Sequence, residues 1–124
     1  MIITDDAGLR RILEKHKVIA MVGLSPREDR PSHHVAHYLL DHGYTVIPVN
    51  PQETEILGQR CYASLRDIPV KVDMVDVFRK AADLPPIADE AIAIGAKSLW
   101  MQLGIVHQAA AEKASAAGLD LSLI

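Results

Sequence analysis

The sequence predicts an α/β domain built on an open, largely parallel sheet of about five strands with helices on both faces. Three observations lead to this prediction. Short apolar runs alternate along the chain with segments of helical periodicity, which is the pattern of β-α-β units. Aromatic residues make up only 4% of the chain, so aliphatic side chains form the core. The length of 124 residues is typical of one domain, and we expect residues 1–124 to form a single unit.

The first half of the chain is predicted to hold two helices and two strands. These are a helix over 5–16, a strand over 18–22, a helix over 32–42 and a strand over 44–49. Thr4 is a candidate N-cap for the first helix, and Ser32 for the second, which Gly43 can end. Residues 18–22 form a continuous apolar run of the kind that parallel sheets bury on both faces.

The second half is predicted to repeat this alternation. Its elements are a helical turn over 64–68, a strand over 72–78, a helix from Pro85 to near Gly95, a strand over 98–103, a helix over 107–117 and a strand over 119–123. Proline is tolerated in the first turn of a helix, so Pro85-Pro86 favours a helix start. Residues 119–123 alternate between apolar and polar, which is typical of an edge strand with one solvated face.

The segments that follow the strands are expected to form one site. In open α/β sheets, ligands bind beyond the carboxyl ends of the strands, where the chain reverses its direction of travel across the sheet. The segments that would meet there are 23–32, 50–53, 78–80 and 102–107.

The loop after the first predicted strand has only part of a dinucleotide-binding motif. Gly23 begins it, but Ser25 and Glu28 stand where G-x-G-x-x-G needs its other glycines. Arg27 and Arg30 are candidates for pairing with phosphate oxygens. The alternative is a solvated turn in which neighbouring acids neutralise both arginines.

The end of the second predicted strand favours a phosphorylated nucleotide. NAD-binding proteins usually place an acidic residue there, whereas this chain has Asn50 followed by Pro51. An amide can donate to a phosphate on the ribose, which favours CoA or NADP, although Asn-Pro is also ordinary turn chemistry. After the third of these strands, Arg79 and Lys80 either face ligand phosphates or belong to the solvated surface.

Charge and composition exclude several functions. The net charge of −3 argues against a nucleic acid or an anionic membrane as the main partner. The single cysteine, Cys61, excludes an internal disulfide framework and suits a reducing compartment. The acidic N-terminus lacks the features of a signal peptide, and no apolar run approaches the roughly 20 residues that span a bilayer. We therefore expect a cytoplasmic protein.

No catalytic residue or metal ligand is predicted. His33 and His37 are four residues apart, but the helical wheel places His34, His37 and Asp41 on an exposed stripe. His107 is expected to have a helix-cap or surface role. Ser25 lacks the surroundings of a hydrolase nucleophile.

Several segments carry motifs that occur together in one family. They are Ile19-Ala20-Met21-Val22-Gly23-Leu24-Ser25-Pro26, Arg30-Pro31-Ser32, Val46-Ile47-Pro48-Val49-Asn50-Pro51, Val75-Asp76-Val77-Phe78-Arg79 and Trp100-Met101-Gln102-Leu103-Gly104-Ile105. Together they resemble the small stand-alone CoA-binding proteins, which are similar to the N-terminal CoA-binding domain of the succinyl-CoA synthetase α subunit. The resemblance covers nearly the whole chain. It implies a three-layer Rossmann-like fold with CoA across the carboxyl ends of five parallel strands.

The resemblance also implies which residues bind. It places Gly23, Leu24, Ser25 and Arg30 at the phosphates, Asn50 and Pro51 at the adenosine end, Val77, Phe78 and Arg79 along the nucleotide, and Gln102, Leu103 and Gly104 closing the site. Independently of the resemblance, the free backbone N–H groups near Ser32, at the predicted helix start, can help to hold an anion. The synthetase relatives tend to carry a lysine just after the second strand of this fold. Gln52 and Glu53 stand there in this chain, which implies a different hold on the adenosine end.

The expected function is binding of CoA or an acyl-CoA without chemistry of its own. Two alternatives stay open. One is an NAD(P)-dependent oxidoreductase-like protein, which the incomplete glycine motif disfavours. The other is a subunit that completes an acyl-CoA ligase in trans, because the resemblance implies that the phosphorylated histidine of the synthetases belongs to a second domain. A homodimer or another protein partner is also compatible with the sequence.

Overall fold

The structure, a computed structural model, describes residues 2–3, 5–102 and 107–122. Its strands are β1 (Ile2–Ile3), β2 (Val18–Val22), β3 (Thr45–Val49), β4 (Glu55–Ile56), β5 (Gln59–Arg60), β6 (Met74–Val77), β7 (Ser98–Met101) and β8 (Asp120–Ser122). Its α-helices are α1 (Asp6–Lys15), α2 (Pro31–Asp41), α3 (Leu84–Ala93) and α4 (Gln108–Ala116), with short 3-10 helices over Leu65–Asp67 and Ala81–Asp83.

Six of these strands form one parallel sheet in the order β1-β8-β7-β6-β2-β3. The register aligns the carboxyl ends of β3, β2, β6 and β7: Val22 lies opposite Val49 and Val77, and Val77 lies opposite Met101. The chain runs outward from β2 to β3 and then returns to the other side of β2 as β6. The loops after β2 and β6 therefore diverge from one point on the carboxyl edge of the sheet.

Helices cover both faces of the sheet, and the predicted three-layer α/β class is confirmed. Helices α1 and α2 pack on one face, and α3 and α4 pack on the other. Alternate residues along each strand supply the two cores: Ile19, Met21, Val46, Met74 and Trp100 face α1 and α2, whereas Ala20, Val22, Val75, Val77 and Leu99 face α3 and α4. Because each helix connects parallel strands, it runs back from the carboxyl edge, and its first turn lies there.

The strand β1 corrects one prediction. It pairs in parallel with β8, so β8 is an inner strand rather than the predicted edge strand. Leu121 and Ser122 are both buried. Two residues are too few to show a periodic pattern, which is why the sequence did not indicate β1.

The hairpin β4–β5 was also not predicted. Its turn residues, Leu57 and Gly58, both have positive φ, of 52° and 75°. This matches the type I′ turns that suit two-residue hairpins. Such turns usually carry Asn-Gly or Asp-Gly. With Leu57 in the first turn position, the sequence does not indicate a hairpin.

The predicted cap of α2 is wrong. The helix begins at Pro31, and its N-cap is Arg30, whose side chain makes no cap hydrogen bond. Pro31 fixes this start because its ring suits the first helical position. The Ser32 hydroxyl instead accepts a hydrogen bond from the Ser25 amide at 3.0 Å.

Helices α1 and α4 begin with side-chain caps, whereas the N-cap of α3, Asp83, makes no such bond. The Asp5 carboxylate accepts from the Gly8 amide at 2.8 Å and caps α1. Thr4, the predicted cap, lies outside the described residues. The imidazole Nδ1 of His107 accepts from the Ala110 amide at 3.2 Å and caps α4, which confirms its expected cap role.

Candidate functional site

A cavity of about 250 Å³ opens at the carboxyl edge on the α3 side of the sheet. We refer to it as the edge cavity. Four of the predicted site residues line it together: Gly23, Asn50, Pro51 and Arg79. They come from the ends of β2, β3 and β6, so three of the four predicted segments meet here. Of the fourth segment, 102–107, the structure describes Gln102 and His107, and neither lines this cavity.

Gly23 allows the loops after β2 and β6 to touch. Its φ is +87°, and a Cβ atom there would lie 2.6 Å from the Phe78 carbonyl oxygen and 2.8 Å from Cδ of Arg79. The Gly23 amide donates to the Val49 carbonyl at 3.0 Å. A residue with a side chain would therefore need both an unfavourable backbone conformation and a displaced neighbour.

The loop that continues from Gly23 is held by its own hydrogen bonds. The Ser25 hydroxyl accepts from the Arg27 amide at 3.1 Å, and Nδ1–H of His33 donates to the Ser25 carbonyl at 3.0 Å. The Ser32 hydroxyl, which accepts from the Ser25 amide, is buried. Ser32 thus stabilises the loop, and these hydrogen bonds give the loop a defined shape without a ligand.

The two arginines of this loop differ in their surroundings. Arg27 pairs with Asp29 at 3.3 Å on the surface, as the solvated-turn alternative predicts. Arg30 is exposed and has no ion pair within the part of the chain that the structure describes. At the edge cavity, Arg79 pairs with Asp83 at 3.4 Å. Arg30 is therefore the loop cation that is available to an anion.

The Asn50 side chain connects two loops. Its Nδ2 donates to the Leu24 carbonyl at 3.1 Å, and its Oδ1 accepts from the Gln52 amide at 2.9 Å. These bonds are the turn chemistry that the sequence left open. A direct contact of Asn50 with a ligand stays a prediction.

One wall of the edge cavity was missed by sequence reasoning. Residues 63–65 approach α3, and the Glu90 carboxylate accepts from the Leu65 amide at 3.1 Å. Ile87 and Pro86 add apolar surface from the same helix. The helical spacing of Ile87 and Ala91 indicates burial, but no local pattern shows that this helix meets residues 63–65.

Asp76 lies fully buried in the middle of the sheet, and sequence reasoning assigned it no role. Its Oδ1 accepts from Nε2 of Gln102 at 2.7 Å, whereas its Oδ2 has no hydrogen-bond partner among the described residues. Burial raises the pKa of Asp76 to about 8, and the bond from Gln102 opposes this only in part. The carboxyl group is therefore mainly protonated at neutral pH. The signal available was an acid inside the apolar run from Val75 to Phe78.

Other predicted site residues that the structure describes lie near the edge cavity without lining it. Val77 and Leu24 are fully buried and back the site from within the core, and Phe78 is half-buried beside the α1–α2 face. Gln102 follows β7 at the carboxyl edge. Leu103 and Gly104 lie outside the described residues.

Two side chains of reactive types, His37 and Cys61, lie outside the lining of the edge cavity. His37 pairs with Asp41 at 3.3 Å on the exposed face of α2, which confirms the predicted surface stripe. Burial raises the pKa of the Cys61 thiol, and Glu53 and Glu55 add to the effect. The thiol is thus mostly protonated and a weak nucleophile.

Known proteins identify the family. Residues 17–122 match the CoA binding domain family. The chain belongs to that family. The predicted resemblance is thereby confirmed. The chain is 43% identical over 104 residues to the uncharacterized protein YneT of Bacillus subtilis, an alignment that covers 84% of this chain and 77% of YneT.

Two further relatives place the chain in a wider context. A hypothetical protein from Pyrococcus horikoshii OT3 superposes with a TM-score of 0.90 at 43% identity, covering 95% of this chain and 84% of that one. An ADP-forming acetate–CoA ligase from Archaeoglobus fulgidus is 36% identical over 74 residues, which are 60% of this chain and only 11% of the ligase.

Within the described residues, no helix is long and apolar enough to cross a membrane.

Proposed function

We propose that the chain binds CoA or an acyl-CoA at the carboxyl edge of the sheet and performs no chemistry of its own. The observation that carries the proposal is the contact of Gly23 with the end of β6, beside a cavity lined by three strand ends. This is the place where open α/β sheets bind nucleotides. Membership of the CoA binding domain family supports CoA as the nucleotide.

The adenosine end of CoA is proposed to occupy the edge cavity. A volume of about 250 Å³ lies below the roughly 300–1,000 Å³ of complete small-molecule sites, so it suits one part of a long ligand. Pro51, Leu65 and Ile87 offer apolar surface to a base. Asp83 and Glu90 carry carboxylate oxygens, which can accept from an exocyclic amino group.

The phosphates are proposed to lie across the loop from Gly23 to Arg30. The first turn of α2 adjoins this loop, and helix N-termini favour anions. The guanidinium of Arg30 can form two parallel hydrogen bonds to a phosphate. Gln102, Leu103 and Gly104 are proposed to close the site at the end of β7.

A role without catalysis is supported by the protonated Cys61 thiol and the cap role of His107. The similarity to ADP-forming acetate–CoA ligases supports a second candidate, a subunit that serves a ligase in trans. That candidate predicts a stable protein partner with an ATP-grasp domain. A pull-down that recovers none would count against it.

Calorimetric titration of ligand-free protein tests the proposal. We expect CoA to bind, and NAD and NADP to compete poorly. Arg30→Gln is expected to weaken CoA binding about five- to twentyfold, because one charge-assisted phosphate contact is lost. Arg27→Gln is the matched control, since Arg27 is already paired with Asp29, and it should change the affinity less than twofold.

Two results would contradict the proposal. The first is no binding of CoA at millimolar concentration. The second is an NADP affinity equal to or better than that of CoA, which would favour the oxidoreductase-like alternative.

A further inference from the structure

The face of the sheet opposite the edge cavity carries a groove between α1 and α2. Two adjoining cavities of about 390 and 350 Å³ form it, and both are lined by Arg10, Leu13, Tyr38 and Leu39. The larger cavity lies at the first turns of α1 and α2, and we call it the upper cavity. Trp100, on β7, lines it. We call this feature the α1–α2 groove.

Apolar side chains predominate in the upper cavity, which Arg10 also lines, whereas Glu14 and His42 add polar groups to the lower one. Leu9 and Val35 form the walls of the upper cavity at the level of Trp100, and 59% of the surface of Tyr38 is exposed. Asp6 and His34 supply polar groups in the same upper part. A concave apolar surface with polar groups at its margin is the usual form of a small-molecule site.

The groove begins at the same edge of the sheet as the proposed CoA site. Asp6 and His34 lie in the first turns of α1 and α2, and both helices start at the carboxyl edge. His33, the neighbour of His34, is hydrogen-bonded to Ser25 of the proposed phosphate loop. The first turn of α2 therefore contacts that loop through His33 and the upper end of the groove through His34.

The ends of β2 and β6 separate the two cavities. Gly23 and Arg79 line the edge cavity, whereas their chain neighbours Leu24 and Phe78 pack on the α1–α2 side. The edge is thus two residues wide in each loop, and a ligand that crosses it there reaches the other face of the sheet.

CoA has the chemistry to span both faces. Its nucleotide is joined through a diphosphate and a flexible pantetheine arm to a thiol, which carries the acyl group as a thioester. With the nucleotide in the edge cavity and the phosphates on the loop, the arm continues towards the α1–α2 groove. We propose that this groove binds the acyl chain of an apolar acyl-CoA, an inference that rests on the proposed CoA site.

The size of the groove sets the expected chain length. An engineered apolar cavity of about 150 Å³ holds a six-carbon ring, so the upper cavity, which has more than twice that volume, has room for an eight-carbon chain. Each methylene moved from water into an apolar site improves affinity about fourfold. In an open groove we expect about half of this free energy, which is roughly a twofold gain in affinity per methylene. Octanoyl-CoA should therefore bind at least tenfold more tightly than acetyl-CoA.

Titrations with CoA, acetyl-CoA and octanoyl-CoA test this inference. Trp100 is the only tryptophan of the chain, so its fluorescence reports on the floor of the groove. We expect octanoyl-CoA to shift its emission more than CoA does. Val35→Gln should remove most of the preference for octanoyl-CoA and leave the affinity for free CoA within twofold.

The control variants separate binding from folding. Tyr38→Ser changes an exposed groove residue and should also reduce the preference without lowering the melting temperature much. Val70→Gln removes an exposed valine outside the groove, and it should leave the preference intact.

The possible failures are distinguishable. Equal affinities for CoA, acetyl-CoA and octanoyl-CoA would overturn the acyl groove and leave the CoA site standing. Failure of all three to bind would overturn both. A dimer in sedimentation experiments that Val35→Gln dissociates would also overturn the inference, because a second copy would then occupy the groove.

Discussion

Gly23 is the residue on which the shape of the site depends most. Its positive φ and its contact with the Phe78 carbonyl are two separate constraints, because the first concerns its own backbone and the second concerns its neighbour. Gly43 offers a comparison, since it has nearly the same φ, +85°, and a Cβ atom there would meet nothing within 4 Å. The pair separates backbone strain from crowding.

Gly23→Ala is expected to destabilise the fold by roughly 3 kcal/mol, of which about 1–2 come from the left-handed backbone and the rest from crowding. It should also weaken CoA binding, because the two loops must separate. Gly43→Ala should cost only the backbone part and leave CoA binding unchanged. Urea unfolding and calorimetry measure both quantities. Equal losses of stability in the two variants would show that the contact with Phe78 is not tight.

Asp76 makes stability depend on pH in an unusual direction. Its pKa in the folded protein is about 8, above its ordinary value of 3.8, so the folded state binds more protons than the unfolded state between these values. The free energy of unfolding therefore falls as pH rises from about 4 to 8, and the contribution levels off above 8.

Asp76→Asn should raise the free energy of unfolding at pH 8 by an amount on the order of a few kcal/mol, because the uncharged amide keeps an acceptor for Gln102. The gain should shrink towards pH 4. Urea unfolding from pH 5 to 9 checks this, with the exposed Asp41→Asn as the control. A variant that is no more stable than the parent protein at pH 8 would argue that Asp76 is charged in the fold.

At the scale of elements, the junction of α1 with β7 is held by a buried histidine. His16 follows the last turn of α1, and its Nδ1 lies 2.9 Å from the Ser98 hydroxyl at the start of β7. Burial lowers the pKa of His16, and the charge of Asp73 opposes this in part. The junction is therefore built around a neutral imidazole.

Protonation of His16 is expected to loosen this junction. Its folded pKa lies below the ordinary 6.5, so the unfolded state binds more protons and stability is lost as pH falls below about 6.5. His16→Gln should flatten this loss between pH 7 and 5, whereas exposed His37→Gln should not. Thermal unfolding across this range provides the measurement. A His16→Gln protein with the parent's pH slope would assign the acid loss to other groups.

Local sequence patterns predicted some of the helices and strands but not others. The apolar run Val18–Val22 and the Pro85-Pro86 pair predicted β2 and α3 because burial and proline geometry act within a few residues. The turn at Leu57-Gly58 and the start of α2 were not predicted. At the turn, Leu57 packs against the core. At α2, Pro31 sets the start, and Ser32 bonds to Ser25 instead of capping the helix.

At the scale of the whole molecule, parallel topology predicted where the site lies but not what encloses it. Strand order alone brings Gly23, Asn50 and Arg79 to one edge. The wall from Leu65 to Glu90 joins segments 25 residues apart, and the α1–α2 groove is the space left between two helices. Neither has a sequence period, because both depend on how elements are spaced in three dimensions.

The pairing of β1 with β8 has a consequence for how the molecule is made. Ile2–Ile3 precede their partners Leu121 and Ser122 by more than a hundred residues, so the partners emerge from the ribosome much later. The strands between β2 and β7 can pair as they are produced, whereas β1 cannot pair until β8 has been synthesised. Closing such a long loop is slow, so we expect β1 to be the last strand to pair, after the rest of the sheet has formed.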